Sequence, residues 1–425
     1  MHHFHYLNNE LYCENVPISR ICEDTGTPLF VYSRRTLERH FKIFQAPFQS
    51  VEHLICYSMK ACSNLAVLRL FRNLGAGVDI VSGGELYRAL KAGIDPARIV
   101  YSGVGKKASE MDEALTSDIL MFNVESEEEL DLLNSRAEAL GKRARIAFRV
   151  NPDVDPLTHP YISTGLKKNK FGIDVERSVG LYRKALEMRG IEPVGVDCHI
   201  GSQLTELSPF LDAVDRIKDL IGILRSDGLE VRYLDLGGGL GIPYDGEAPP
   251  LPAAYGAAIL QRLVDMRVKL ILEPGRVLVG NAGIMVTRVL YQKQGPAKNF
   301  IIVDAAMNDL IRPSLYDAYH SVRKVSRRNA FAGSEGRITA DLVGPICESG
   351  DFLAQSREME VVESGDLLAL MSAGAYGFSM SSNYNSRPRA AEVLVDGDRY
   401  FVIRDRESYE DLVRGERIPP PILEN

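Results

Sequence analysis

The chain has 425 residues, 45% hydrophobic and 25% charged, a composition that excludes a disordered, collagen-like or coiled-coil protein. Lys and Arg number 50 against 57 Asp and Glu, a net charge of −7 with no long block of one sign, so no basic face for unspecific nucleic-acid binding is visible. Single hydrophobic cores stop growing near roughly 250 to 300 residues, so this length implies about two domains.

From the N-terminus, Met1 to Leu11 carries His2, His3, His5, Asn8, Asn9 and Glu10 where a signal peptide needs an apolar core. No run approaches the ~18 apolar residues of a membrane span. The expectation is a soluble cytoplasmic protein. Strands are expected at Glu10 to Cys13 and Leu29 to Tyr32.

From residue 54, short β-branched runs alternate with longer amphipathic stretches, the signature of β/α units with parallel strands. Eight strands are expected: Leu54 to Met59, Val78 to Val81, Ile99 to Tyr101, Ile119 to Phe122, Arg145 to Val150, Val194 to His199, Arg232 to Leu236 and Leu270 to Glu273. Asn64 to Asn73, Ser126 to Leu140 and Leu207 to Arg225 carry apolar residues at helical spacing. Eight such units suit a closed β/α barrel of the TIM type. An open doubly wound sheet would show the same alternation, but the polar residues favour the barrel. They gather at the strand ends, as Lys60, Asp79 with Ser82-Gly83-Gly84-Glu85, Ser102, Asn123, Arg149 with Asn151, His199 with Gly201-Ser202, Gly237-Gly238-Gly239 and Glu273-Pro274-Gly275-Arg276.

After residue 280 the pattern becomes closely spaced short strands without helices: Ile284 to Tyr291, Phe300 to Asp304, Ile338 to Val343, Glu358 to Val362, Leu367 to Met371, Ala391 to Val395 and Tyr400 to Arg404. The expected fold is α/β plus all-β, with residues 1–34 as strands joining a β-sandwich or β-barrel domain at 281–425 and the barrel at 35–280. The basic stretch from Asn151 to Lys170, with His159, Lys167 and Lys168, reads equally as a lid or as a solvated loop.

Six cysteines, at 13, 22, 56, 62, 198 and 347, include no C-x-x-C pair and no zinc-type cluster, so disulfides and structural metal are not expected. Five sit in apolar surroundings. Cys347, in Gly344-Pro345-Ile346-Cys347-Glu348-Ser349-Gly350-Asp351, sits among turn-formers beside an acid and suits a reactive thiol.

Lys60 ends the apolar run Ile55-Cys56-Tyr57-Ser58-Met59, where burial would depress its pKa and make the amine a nucleophile for Schiff-base chemistry. Alone it reads more readily as a lysine snorkelling from a strand end. Its company is Gly237-Gly238-Gly239-Leu240-Gly241, whose bare backbone can approach a phosphate after the seventh strand, and Glu273-Pro274-Gly275-Arg276 after the eighth. The dinucleotide spacing G-x-G-x-x-G fails, and Gly103-Val104-Gly105-Lys106-Lys107 is not a P-loop, so a nicotinamide enzyme is not expected. A lysine, a phosphate cradle and an acid on one rim imply a phosphorylated aldehyde, pyridoxal 5′-phosphate, with Glu273 on its ring nitrogen. His199 would lie flat against the ring and Ser202 would meet the phosphate.

These residues, with Tyr57 to Ala61, Asp79 to Glu85, Thr164-Gly165-Leu166-Lys167, Lys170-Phe171-Gly172, His199 to Gln203, Arg312-Pro313-Ser314-Leu315-Tyr316, the Cys347 motif and Gly374-Ala375-Tyr376-Gly377, are identified by resemblance. The chain closely resembles the diaminopimelate decarboxylases, pyridoxal-phosphate enzymes with the alanine-racemase-like barrel, over nearly its whole length. The resemblance implies that Lys60 holds the cofactor as a Schiff base and that Asp79, His199, Ser202, Gly238, Gly239, Glu273, Gly275, Arg276 and Tyr376 bind it. It implies a homodimer in which Cys347 completes the partner's active site as a catalytic group.

Arg276, Arg312, Tyr316 and Tyr376 would bind substrate, the first three at its distal carboxylate, and Glu348 would take the distal ammonium. Arg and Glu are the chemistry that an amino acid at each end of a substrate requires. The implied reaction converts meso-2,6-diaminopimelate to L-lysine and carbon dioxide, the last step of lysine biosynthesis. Related decarboxylases of ornithine-like diamines typically have aspartate after the cysteine; here Glu348 follows it. The family's asparagine after Lys-Ala is replaced by Cys62-Ser63-Asn64, a local departure. Decarboxylation of ornithine, arginine or carboxynorspermidine stays an alternative, as does a pyridoxal-phosphate binding protein without turnover.

Overall fold

A computed structural model describes residues 2–155, 170–327 and 336–423; the Thr164 to Lys167 stretch, His159 and Lys168 lie outside the described residues. The chain forms two compact units, Thr36–Asn281 and the combination of Met1–Arg35 with Ala282–Asn425.

The first unit is a closed barrel of eight parallel strands: β1 His53–Ser58, β2 Gly77–Ile80, β3 Ile99–Tyr101, β4 Met121–Val124, β5 Ala144–Asn151, β6 Ile191–Asp197, β7 Tyr233–Asp235 and β8 Lys269–Leu272. Each pairs with its sequence neighbour, and β8 returns to β1 with Leu270 opposite His53 and Leu272 opposite Ile55. Closure explains why β1 and β5 are near-continuous buried runs, because helices cover one face and barrel interior the other. Leu54, Cys56, Val100, Met121, Ala147, Val194 and Ile271 form one apolar cluster inside the sheet. The intervening helices start where their capping residues stand. Asn64 Oδ1 accepts from Ala66 N at 2.9 Å, and Ser126 Oγ accepts from Glu129 N at 3.1 Å. The expected strands lie within three residues of the observed ones.

The second unit is mostly sheet. Its main sheet runs Phe352–Glu360, Arg337–Val343, Asn299–Val303, Gly283–Gln294, Leu29–Ser33, Ala391–Asp396 and Arg399–Arg404, with Leu367–Leu370 also paired to Gly283–Gln294 and Val322–Lys324 paired in turn to Leu367–Leu370. Leu29–Ser33 therefore enters the centre of the sheet, antiparallel to Gly283–Gln294 and parallel to Ala391–Asp396. Its residues Leu29 and Val31 join Ile284, Val286, Val393 and Val395 in the core.

Three details depart from expectation. Glu10–Cys13 pairs chiefly with Phe4–Leu7 and Val16–Pro17 in a separate three-stranded sheet, bridged to the rest at Ser326. A five-residue helix, Arg312–Tyr316, interrupts the strand-only region; it starts on Arg312-Pro313 and is too short to show a helical period. The strand expected at Glu358 to Val362 runs instead from Phe352 to Glu360, because Gln355, Ser356 and Arg357 hide its alternation.

Candidate active site

In the barrel, every expected site residue falls at the C-terminal end of a strand. Lys60 lies in the short turn Met59–Ala61 directly after β1, and its Nζ donates to Asp79 Oδ2 at 2.8 Å. The lysine side chain is 37% exposed and the Asp79 side chain 0%, so a fully buried carboxylate on β2 holds an amine that faces the barrel mouth. Ser58 Oγ reaches the same Oδ2 at 2.9 Å and the Glu273 carbonyl at 3.0 Å.

Behind this pair is a layer of buried polar groups, of which Ser102 and Asn123 are expected at strand ends but with no role. Ser102 Oγ lies 3.5 Å from Glu273 Oε1, and Asn123 Nδ2 donates to Ser102 Oγ at 3.2 Å and Asp235 Oδ2 at 3.4 Å. Asp235 ends β7, accepts from Gly237 N at 2.9 Å and hydrogen-bonds to the Glu273 carboxyl. Burial first, and then the negative charges of Asp235 and Asp79, hold Glu273 well above the usual carboxylate range. Burial and these neighbours thus favour the protonated form of Glu273. The run of polar strand ends flags Ser102 and Asn123 in the sequence, whereas Asp235 reads there only as part of the seventh strand.

His199, two residues past β6, accepts a hydrogen bond from Gly238 N through Nδ1 at 3.2 Å, so its neutral form carries the proton on Nε2. Burial, with Arg149 and Lys60 nearby, holds its pKa well below the ordinary histidine value. The glycine run is required by packing. A Cβ on Gly238 would meet the Glu273 carbonyl at 2.3 Å, and one on Gly239, where φ is +115°, would meet the Gly201 carbonyl at 2.6 Å. A Cβ on Gly275 would meet Ser58 Cβ at 3.1 Å and Ala61 Cβ at 3.3 Å. Arg276, buried at the start of the next helical turn, donates to Ser202 Oγ at 3.1 Å and Tyr244 Oη at 2.8 Å.

The Gly103 to Lys107 stretch has a structural duty instead. Lys106 Nζ is buried against the carbonyls of Gly103 and Asn123 and 2.7 Å from Glu129 Oε1. Gly172 N donates to Glu125, which also pairs with Arg149 at 3.2 Å.

The remaining expected residues lie in the sheet unit. Arg312 is buried at the first position of its helix, Tyr316 ends that helix half-buried, and Ser314 Oγ ties it to the Gly350 carbonyl at 2.6 Å. Gly350 belongs to the Cys347 loop. That loop is held by Asp351, whose carboxylate accepts from Met307 N and Ile346 N at 2.7 Å each, and by Asn385 Oδ1, which accepts from Cys347 N at 2.8 Å. Glu348 hydrogen-bonds to the Tyr384 hydroxyl. Cys347 is exposed whereas the other five cysteines are buried. Tyr376 is half-buried, with a left-handed φ of +57°.

Residues 34–280 match the family model described as pyridoxal-dependent decarboxylase, pyridoxal binding domain. A diaminopimelate decarboxylase of Pseudomonas aeruginosa is 52% identical over 98% of this chain and 99% of its own length. The chain belongs to the diaminopimelate decarboxylase family. Solved members of that family share the architecture. The Helicobacter pylori diaminopimelate decarboxylase, complexed with L-lysine, superposes with a TM-score of 0.89 at 42% identity, covering 93% of this chain and 98% of the other. The diaminopimelate decarboxylase of m. jannaschii, in co-complex with L-lysine, superposes with a TM-score of 0.93 at 38% identity, covering 99% of this chain and 98% of the other.

The family is pyridoxal-dependent, and the barrel residues fit that cofactor. An amine on a buried carboxylate suits the aldehyde, and a protonated buried acid suits the ring nitrogen. Two glycines whose side-chain space is filled by backbone, beside a Ser202–Arg276 pair, suit a phosphate. Among the described residues no helix is long and apolar enough to cross a membrane.

Proposed function

We propose that this chain decarboxylates meso-2,6-diaminopimelate to L-lysine and carbon dioxide, the last step of lysine biosynthesis, with pyridoxal 5′-phosphate on Lys60. The observation that carries the reading is the Lys60 amine at the barrel mouth, 2.8 Å from the buried Asp79 carboxylate. When bound, the cofactor supplies an electron sink for the pair released as the carbon–carboxylate bond breaks. Lys60 would hold the cofactor's aldehyde through its amine. Glu273 would hold a proton at the ring nitrogen, with Asp235 behind it. His199, with its neutral ring, Ser202, Gly238, Gly239, Gly275, Arg276 and Tyr376 would hold the cofactor, the last six at its phosphate.

Substrate selection belongs to charged groups away from the reacting carbon. Arg276, Arg312, Tyr316 and Tyr376 bind the substrate, the first three at its distal carboxylate, and Glu348 takes the distal ammonium. In a cytoplasmic homodimer, Cys347 and Glu348 from the partner subunit complete each site, and Cys347 or Lys60 returns the proton to the product carbon. The sequence resemblance supports these roles, as does the exposure of Cys347 in the single chain.

The test is carbon dioxide release by purified holoprotein from diaminopimelate in competition with ornithine, arginine and carboxynorspermidine. Diaminopimelate should be preferred, and Lys60→Ala should lose both the visible cofactor absorbance and turnover. Full activity in Lys60→Ala, or preference for a monocarboxylic substrate, would sink the reading.

A further inference from the structure

His320 is 0% exposed and lies between the Arg312–Tyr316 helix and the strand Val322–Lys324. Its Nδ1 is 2.8 Å from the Met371 carbonyl oxygen, which can only accept, so Nδ1 carries the ring proton. Its Nε2 is 2.9 Å from Arg312 Nη1, which can only donate, so Nε2 presents a lone pair. Both contacts are met by one form of the ring, the neutral Nδ1–H tautomer. The backbone around it is also pinned: Arg357 Nη1 donates to the His320 carbonyl at 2.8 Å while its guanidinium lies 3.7 Å above the Tyr319 ring. Met371 N in turn donates to the Ser321 carbonyl at 2.9 Å.

From this geometry we infer that His320 is the positioning residue for Arg312, and through Met371 ties Arg312 to the stretch that leads to Tyr376. The inference rests on the reading of Arg312 as an anchor of the distal carboxylate. A guanidinium has five donors in a rigid fork, so fixing one edge on a buried ring aims the rest. The acceptor chosen is neutral, so at this contact the charge of Arg312 is not cancelled, as a carboxylate would cancel it. Residues joined this way lie eight and 51 positions apart in the chain, which hides the link from any local motif.

Two substitutions separate positioning from mere stability, because each keeps a different half of the ring's contacts. His320→Asn can retain the donor to Met371 and loses the acceptor for Arg312; His320→Gln can place its amide oxygen near the Nε2 position and retains that acceptor. His320→Asn should raise KM for diaminopimelate about tenfold with kcat within about threefold, and His320→Gln should stay within about threefold in both. On an Arg312→Ala background the two variants should become indistinguishable. Wild-type carbon dioxide release from diaminopimelate tests the substrate reading separately. Crystal structures of the holoenzyme variants test the positioning without any substrate: the Arg312 guanidinium should move in His320→Asn and keep its place in His320→Gln. Equal KM changes in the two variants, KM differences that survive in Arg312→Ala, or an unmoved guanidinium in His320→Asn would overturn the inference.

Discussion

Asp235 and Glu273 follow one another around the barrel, at the ends of β7 and β8, with their carboxyl groups hydrogen-bonded in a buried layer. Two carboxyls can share such a bond only while one holds a proton. Asn123 and Gly237 N brace Asp235 from the far side, and Ser102 braces Glu273. The acid proposed to face the cofactor is therefore set by a second acid that the cofactor need not touch.

Both carboxyls are raised above the ordinary range, by burial first, then by Asp197 acting on Asp235 and by Asp235 and Asp79 acting on Glu273. The unfolded chain ionises these groups near pH 4 while the folded chain keeps their protons, so stability falls as pH rises from about 4 toward neutrality. Asp235→Asn removes one such group and should flatten that fall. Melting curves of wild type and variant across this range measure it; an equally steep decline in the variant would contradict the assignment.

Gly238→Ala would put a methyl carbon 2.3 Å from the Glu273 carbonyl, a backbone atom that cannot rotate away. The loop or the end of β8 must shift, and His199 loses the amide that orients its Nδ1. A cost of about 1–3 kcal/mol is expected, typical of overpacking a close-packed site. Apoprotein reconstituted with pyridoxal phosphate should show weakened cofactor retention by absorbance titration as well as a lower melting temperature. Wild-type retention in the variant would refute a cradle at this glycine.

Cys347 is exposed and the other five thiols are buried, so alkylation under native conditions should label one cysteine per chain and spare the rest until denaturation. In the proposed reaction, labelling should track loss of activity, and saturating L-lysine should slow it. Cys347→Ala should resist the reagent and lose on the order of 10²-fold or more in kcat, the range for a positioned acid. Peptide mapping identifies the labelled residue; prior reaction at any buried thiol would go against the geometry.

What the sequence determined by itself was local. A parallel barrel strand is buried on both faces and reads as a short apolar run, so β1 was legible at 54–59 against His53–Ser58. Helix starts were legible at Asn64 and Ser126 because a cap is a side chain acting on backbone two or three residues away. Lys60 stood out because an ammonium so rarely follows such a strand directly, and the glycine runs because bare backbone has few other uses there.

Tertiary structure alone decided the rest, since it concerns contacts between residues far apart in the chain. Asp235 read as part of a strand until barrel closure set it against Glu273. Leu29–Ser33 found its parallel partner at Ala391–Asp396, some 360 residues on, a pairing that no periodicity encodes. The same holds for His320, an unremarked histidine in sequence whose proton position follows only from Met371 on one side of the ring and Arg312 on the other. Hydrophobic pattern and capping act within a few residues and survive in the linear text. Hydrogen bonds across a core depend on where the closed fold brings the chain back.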